Sequence, residues 1–363
     1  IQVGQCGNQI GKQFFQTIMQ EHCINNNQPN QLEGKHNTFF SESITGTFQP
    51  RAIVADLDPS FKQQYENLFD QTNFLFGNES ANNNWGKGHY TEGADLAENI
   101  NVMIQNLLEK CQSPQGFMMY HSLGGGTGSG MGTQILSQIR ENHPKCLINT
   151  HSIIPYQDDQ VIVQPYSVVL SFAELQEHAD LVFPIQNDEI RRQCLQKGFN
   201  TEFSNLNELI SNQISGSTAG IRFSDLNLRK LQQNLVMYPK LKYLNAKNED
   251  EFGKVVNDLQ SQKMISAFCQ IRNISSKVII EQLSSGQIEW SPKMSIVECK
   301  SASDCTLMYN SPEIVNTLSN IGHKFDKLFK HQAFLQYYVA QGMCSMEFEE
   351  ARESLEQIMA EYK

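Results

Sequence analysis

Gly124-Gly125-Gly126-Thr127-Gly128-Ser129-Gly130 is the stretch on which the fold turns, with five glycines in seven residues. Ahead of it runs Phe117-Met118-Met119-Tyr120, apolar and of strand length. Behind it Ile135, Leu136 and Ile139 fall at helical spacing, and Pro144 marks a stop. Glycine between a strand and a helix lets the backbone approach a ligand closely. The helix start carries unpaired N–H groups and a partial positive charge, so the matching ligand is a phosphate. No Lys follows the last glycine, which excludes the G-x-x-x-x-G-K-[ST] loop. Nor do the glycines fall at G-x-G-x-x-G spacing, which weakens a dinucleotide reading. Backbone donors, a metal ion or both must then meet the phosphate charge. The bland alternative, a flexible surface turn, fits poorly with the flanking strand and helix.

Outward from the loop, strand-like and helix-like runs alternate. Gly7 to Glu21 lines up Ile10, Phe14, Phe15 and Ile18 on one helical face. Arg51 to Ala55 and Leu147 to Ile154 read as short buried strands. This rhythm predicts an α/β fold with a doubly wound parallel sheet and a ligand at the carboxyl ends of its strands. Asn25 to Lys35, rich in Asn, Gln, Pro and Gly, reads as an exposed loop. Asn187 through Cys194 begins a helical stretch. Met264 to Leu307 is mixed and includes the strand Lys277-Val278-Ile279-Ile280. Ile314, Leu318, Ile321, Phe325 and Leu328 form one helical stripe, and Phe348, Leu355, Ile358 and Tyr362 a second. Both read as core faces, too short for a coiled coil.

The chain has 363 residues, enough for two or three domains and a large core. Its net charge of −11 argues against nucleic acid as the main partner. Nine cysteines, odd in number and without a C-x-x-C pair, predict free thiols in a reducing cytosol rather than a disulfide framework or a structural zinc site. No apolar run approaches the ~20 residues needed to span a bilayer, and no signal peptide is visible, so no membrane association is expected.

Five further runs join the glycine loop. Ile1-Gln2-Val3-Gly4-Gln5-Cys6-Gly7-Asn8-Gln9-Ile10-Gly11 opens the chain. Pro50 to Pro59 contains Ala55-Asp56-Leu57-Asp58, and Asn83-Asn84-Trp85-Gly86-Lys87-Gly88-His89-Tyr90-Thr91-Glu92-Gly93 follows. Near the carboxyl end stand Gln332-Ala333-Phe334-Leu335 and Met346-Glu347-Phe348-Glu349-Glu350-Ala351. In this order they resemble the tubulin family, and most of all its β-type members. The resemblance is strong from Ile1 to about Asn212 and again after Met308, and patchy between. The chain looks shorter than family members after Phe223, between Ala246 and Lys247, and around Cys269, as though segments had been closed up in the numbering.

The resemblance implies a tubulin/FtsZ-like GTPase domain over 1–186, a core helix and smaller α/β intermediate domain over 187–311, and a carboxyl-terminal helical hairpin over 312–363. It makes Asn187 the start of the long core helix. It implies GTP/GDP and Mg²⁺ as ligands, with Gly4, Gln5, Cys6 and Gln9 in the first nucleotide loop and Asn83 near the terminal phosphate. Ser122, Gly124, Gly125, Gly126, Thr127 and Gly128 would wrap the phosphates. Asn187, Phe203 and Asn207 match the residues that read the base; an amide both donates and accepts, which suits guanine's edge, and a ring face stacks on a purine. Asp58 and Gln5 fall at the metal, Asp58 through a bound water because it is one methylene shorter than the family's Glu. Taken alone, Cys6 is a small buried hydrophobe, Asp58 a turn former, and Lys230 a solvated helix charge.

Two departures stand out. Gln164 occupies a position where β-type members carry a Glu touching the ribose, and Gln160 sits where an acidic residue is usual. Gln164 and Phe203-Ser204 resemble the γ-type pattern. In the family the hydrolytic acid comes from the next subunit, and Lys230 occupies the corresponding interface position here, as in β-type chains. The expected function is therefore a microtubule subunit that pairs with an α-type tubulin, touches lateral neighbours and microtubule-associated proteins, and hydrolyses GTP on assembly. Its place would be the cytoplasmic cytoskeleton, with a ciliary axoneme or spindle as possible arrays. The alternatives are a specialised tubulin such as a γ-type nucleator, or a nucleotide-binding structural subunit with little turnover. An oxidoreductase on a similar sheet lacks its fingerprint.

Overall fold

The computed structural model describes residues 1–25, 28–29, 32–43, 46–158, 161–249, 264–272, 293–297 and 304–363. The chain opens with β1 (Gln2–Val3) and α1 (Gly4–Glu21). Two small antiparallel pairs follow, β2 (Ile24–Asn25) with β3 (Gln28–Pro29) and β4 (Phe40–Glu42) with β5 (Phe48–Pro50). Next come β6 (Val54–Asp56), β7 (Phe74–Phe76), and the helices α2 (Trp85–Tyr90), α3 (Glu92–Ala97) and α4 (Ile100–Glu109). Then β8 (Gly116–Ser122), α5 (Gly132–Asn142), β9 (Leu147–Ile154), α6 (Gln164–His178) and β10 (Leu181–Gln186) complete the first half.

Six of these strands form one parallel sheet in the order β10-β9-β8-β1-β6-β7. Chain order runs outward in both directions from the centre, so the topological switch point lies between β1 and β8. Gln2 sits beside Val54 on one side and Tyr120 on the other, which fixes that register. Every residue of β9 is buried, as a strand covered on both faces must be.

One face of the sheet is covered by α1, α7 (Asn187–Gln196) and α8 (Phe203–Phe223). The expected stripe Ile10, Phe14, Phe15 and Ile18 lies there, with Phe14 and Phe15 ringed by Phe39, Phe40, Phe69 and Tyr120. The opposite face is covered by α4, α5, α6 and the carboxyl-terminal helices α10 (Ile314–Lys330), α11 (Leu335–Val339) and α12 (Ser345–Glu361). Both carboxyl-terminal stripes point inward, through Leu318 and Phe325 on α10 and Phe348, Leu355 and Ile358 on α12. Between α8 and α10 stand α9 (Leu228–Leu235) and a second sheet of β11 (Leu244–Glu249), β12 (Ser266–Arg272), β13 (Lys293–Val297) and β14 (Cys305–Asn310), ordered β11-β14-β12-β13. The β11–β14 ladder runs unbroken across Ala246 and Lys247, and Cys269 lies mid-strand in β12, so two of the three short joints fall within regular strands.

Three expectations need correction or limits. Asn187 opens a ten-residue helix, not the long core helix, which is α8. Gly198 at φ +76° ends the turn after α7, with its N–H on Leu195 O and that of Phe199 on Cys194 O, a left-handed stop that few other residues tolerate. Arg51 to Ala55 is not all strand; Arg51 N–H reaches Phe39 O, Ala52 N–H turns back to Pro50 O, and the ladder begins at Val54. Gln160 and the Lys277–Ile280 run lie outside the described residues. All eight cysteines among the described residues are free thiols, and no described helix is long and apolar enough to cross a membrane.

Candidate nucleotide site

At the switch point, two backbone turns meet. The first leaves β1 at Gly4, whose φ of +73° turns the chain straight into α1. The second leaves β8 at Ser122 and passes through a single wide turn, Thr127–Met131, into α5. A Cβ on Gly4 would stand 2.9 Å from Gly128 N, so the two turns touch backbone to backbone. A Cβ on Gly126 would stand 2.6 Å from Ala81 Cβ and 2.9 Å from Asn84 N, which brings a third loop in. These contacts explain why glycine is needed at both places.

The donors of this crevice are unspent. Gly124 N–H is taken by Ser122 Oγ at 3.3 Å. Among the described residues, the N–H groups of Gly125, Gly126, Thr127 and Gly128 find no acceptor in the protein. Gly125 and Thr127 are half-exposed, while Gly124, Gly126 and Gly128 are buried in the floor. No side chain caps the start of α1 and no acidic residue stands in its first turn. A run of unpaired N–H groups at two helix starts is an arrangement that suits an anion.

Gln5 is exposed at the lip and Cys6 half-buried beside it, where burial pushes its thiol up to about 12 and keeps it neutral. Asn83 is exposed, at φ +58°, and faces Gly125. Its neighbour Asn84 has a structural task, capping α2 through Lys87 N–H and donating to Tyr337 O at 2.9 Å. Along the crevice, Asn207 on α8 donates to Gln9 on α1 at 3.4 Å, which joins two residues expected at the base end. Asn187 stands at the first position of α7, and Phe203 at the first position of α8 with 67% of its surface exposed. Gln164, at the start of α6, lines a small hollow with Tyr156, Gln186 and Asp188.

Two carboxylates stand at and just past the end of β6. Asp58 is largely solvated and accepts from Ser60 N–H and hydroxyl, which hold its carboxyl below the usual range. Asp56 was not singled out by sequence, yet it is the more unusual group. Burial pushes it up to about 6, the nearby Asp58 charge adds to the push, and among the described residues no cation is paired with it. The signal was present in Ala55-Asp56-Leu57-Asp58, where an acid sits on the inner register of a strand. A buried carboxylate without a counter-charge among the described residues, at the carboxyl end of a strand beside β1, suits a divalent cation. No three His, Cys, Asp or Glu side chains cluster among the described residues. Mg²⁺ would therefore rest mainly on phosphate and water oxygens, as that ion prefers.

Lys230 lies elsewhere. It is exposed on α9, where Asn227 Oδ1 caps its N–H at 2.8 Å. The N–H of Leu228 is held by Gln115, which immediately precedes β8. The glycine loop follows the other end of β8, so Lys230 belongs to the opposite end of the sheet.

The profile of the Tubulin/FtsZ family, GTPase domain, matches residues 1–195. A nucleomorph tubulin beta chain of Guillardia theta is 35% identical over all of this chain and 95% of its own length. A tubulin beta-6 chain of Gallus gallus and a tubulin beta chain of Candida albicans are each 34% identical over all of this chain, with 94% and 93% of their own lengths covered. With the glycine loop, the strand order and more than half the chain under one family profile, the protein belongs to the tubulin family, as a divergent β-type member.

Proposed function

We propose that this chain is an assembly-dependent GTPase subunit that pairs with an α-type tubulin in microtubules. The observation that carries the reading is the placement of two features at opposite ends of β8, the unspent N–H crevice at one and the Lys230 helix at the other. Copies stacked head to tail would bring one subunit's α9 over the next subunit's nucleotide, a heterologous contact that builds filaments. Exposed Met237 and Tyr238 beside α9, and exposed Tyr337 beside Asn84, supply apolar surface at the two ends.

In this reading Gly124 to Gly128, Ser122 and the start of α1 hold the phosphates, with Gln5 and Asn83 at the rim. Gln9, Asn187 and Asn207 hydrogen-bond the guanine edge, and Phe203 stacks on it. Asp58 and Gln5 would hold Mg²⁺, with Asp56 behind them. When bound, the ion would supply charge neutralisation on the phosphate oxygens. The chain itself positions the nucleotide, and the partner supplies the acid that orients water. Hydrolysis then alters contacts at a subunit junction, which couples turnover to polymer life. Gln164, neutral where an acid is usual, favours a second reading of slow exchange or little turnover.

Phosphate release from purified chain loaded with GTP, alone and with α-type tubulin, tests this. Slow release alone and a burst on co-assembly are expected. Brisk hydrolysis by the isolated monomer would overturn the split-site reading, and binding without a burst would favour the inert subunit.

A further inference from the structure

His121 is the last residue but one of β8 and is fully buried beneath the glycine loop. Its Nδ1 lies 2.9 Å from Gly128 O and its Nε2 2.8 Å from Ser152 Oγ on β9, which is 3.2 Å from Thr150 Oγ1. A carbonyl can only accept, so Nδ1 carries the ring proton and the unprotonated Nε2 faces Ser152 Oγ. Burial drives the ring down to about 4, so it stays neutral and this tautomer persists. Gly128 is also where the two phosphate turns meet, against Gly4 on one side and Ser122 on the other. A carbonyl turned into that crevice would set a negative dipole against the ligand and break the convergence of N–H groups.

We infer that His121 is a positioning residue for nucleotide binding, whose Nδ1–H pins the Gly128 carbonyl toward the sheet and keeps the loop's N–H groups facing the phosphates. The Gly128 carbonyl selects the tautomer, and the contact of Nε2 with Ser152 Oγ on β9 fixes the ring's orientation. The inference rests on the nucleotide reading above, and it assigns a task to a residue that never touches the ligand.

Three variants separate this from a packing role. His121→Asn keeps a donor near the Nδ1 position, His121→Gln keeps one near Nε2, and His121→Leu keeps volume alone. Affinity for a fluorescent guanine nucleotide, measured by titration on the folded full chain, should fall on the order of 10- to 100-fold in Leu and Gln, the effect of losing a buried hydrogen bond at the loop. Asn should stay within about threefold of the parent. Amide exchange at Gly125 to Ser129 should quicken in Leu and Gln and not in Asn, with or without nucleotide. If Gln and Leu bind like the parent, or Asn falls with them while all three melt cooperatively, the role is overturned. Should Leu fail to fold, the Asn–Gln contrast still decides. A parent chain with no affinity would sink the nucleotide reading, and the exchange rates would still judge His121.

Discussion

The two ends of α1 are built on opposite rules. At Gly4 the helix begins with no cap, no acid and a left-handed glycine, leaving its positive end unanswered. At Glu21 it ends in a buried charge cluster in which every member is answered. Arg222 Nη1 lies 2.6 Å from Glu21 Oε2, Arg272 Nη1 2.7 Å from Glu21 Oε1, and Ser215 Oγ 2.6 Å from the same oxygen. Arg272 then forks onto Asp304 with two contacts of 2.5 Å. That cluster ties α1 and α8 to β12 and the approach to β14. In the proposed nucleotide reading, the first end keeps unsatisfied groups for a ligand that comes and goes. The second satisfies its groups permanently because it is a joint.

The largest effect should come from opening the joint. Glu21→Gln removes the carboxylate charge that buried Arg222 and Arg272 share, although Arg272 keeps Asp304, and breaking a buried pair in this way costs about 3–5 kcal/mol. Denaturant unfolding measures it, and a loss under about 1 kcal/mol would show that the cluster is not buried in solution. The same variant should leave nucleotide affinity of the folded chain nearly unchanged. Gly4→Ala is the converse. Its Cβ meets Gly128 N at 2.9 Å on a left-handed backbone, a strain of about 1–3 kcal/mol. Affinity should drop up to about 100-fold, because a small misplacement at the loop is felt by the whole phosphate. Equal losses of stability and affinity in both variants would erase the contrast.

The ends also answer acid differently. Burial alone would raise Glu21, but Arg222 and Arg272 outweigh it and hold the carboxyl down at about 2, against 4.5 when unfolded. Its contribution is complete above pH 4.5 and is lost as pH falls toward 2. Beside it, burial and then the Arg222 charge hold His22 down at about 4, against 6.5 unfolded. The unfolded chain takes that proton first, so stability falls as pH drops from 6.5 to 4. Buried His121 and His151, held at about 4 and about 3, act in the same direction. Near the other end, Asp56 runs opposite, since its folded value of about 6 exceeds 3.8 and it loses stability as pH rises between them. Replacing His22 with Gln should flatten the upper limb by about 1.4 kcal/mol per pH unit. Unfolding curves from pH 7 to 4 read this, and an unchanged slope would mean that His22 is charged in the fold.

How much of this was legible follows the range of the interactions. The glycine loop, the α1 stripe and β9 are local patterns, and the sequence states them in consecutive residues. Glu21, Arg222, Arg272 and Asp304 share no local pattern; only the tertiary fold makes one cluster of them. His121 is a polar residue near the end of a largely apolar strand, and its meaning depends on a carbonyl seven residues on and a hydroxyl one strand over. The α7 boundary was missed because one glycine, Gly198, outweighs a helical composition on both sides.

The smallest effect on the chain itself should come from Lys230, at the far end from the crevice. Its side chain is exposed and its helix is capped through the backbone, so Lys230→Glu should change stability by no more than about 0.5 kcal/mol. Its own nucleotide affinity should not move, since β8 separates the residue from the glycine loop. What should change is the neighbour. A carboxylate can orient water over the phosphate that α9 covers in a head-to-tail stack, where an ammonium group cannot. Co-assembly with an α-type partner, followed by analysis of the nucleotide held by that partner, should reveal GDP where the parent leaves GTP. Retained GTP in the partner, with assembly intact, would mean that α9 does not overlie the neighbour's site, and that the two ends of this molecule do not meet.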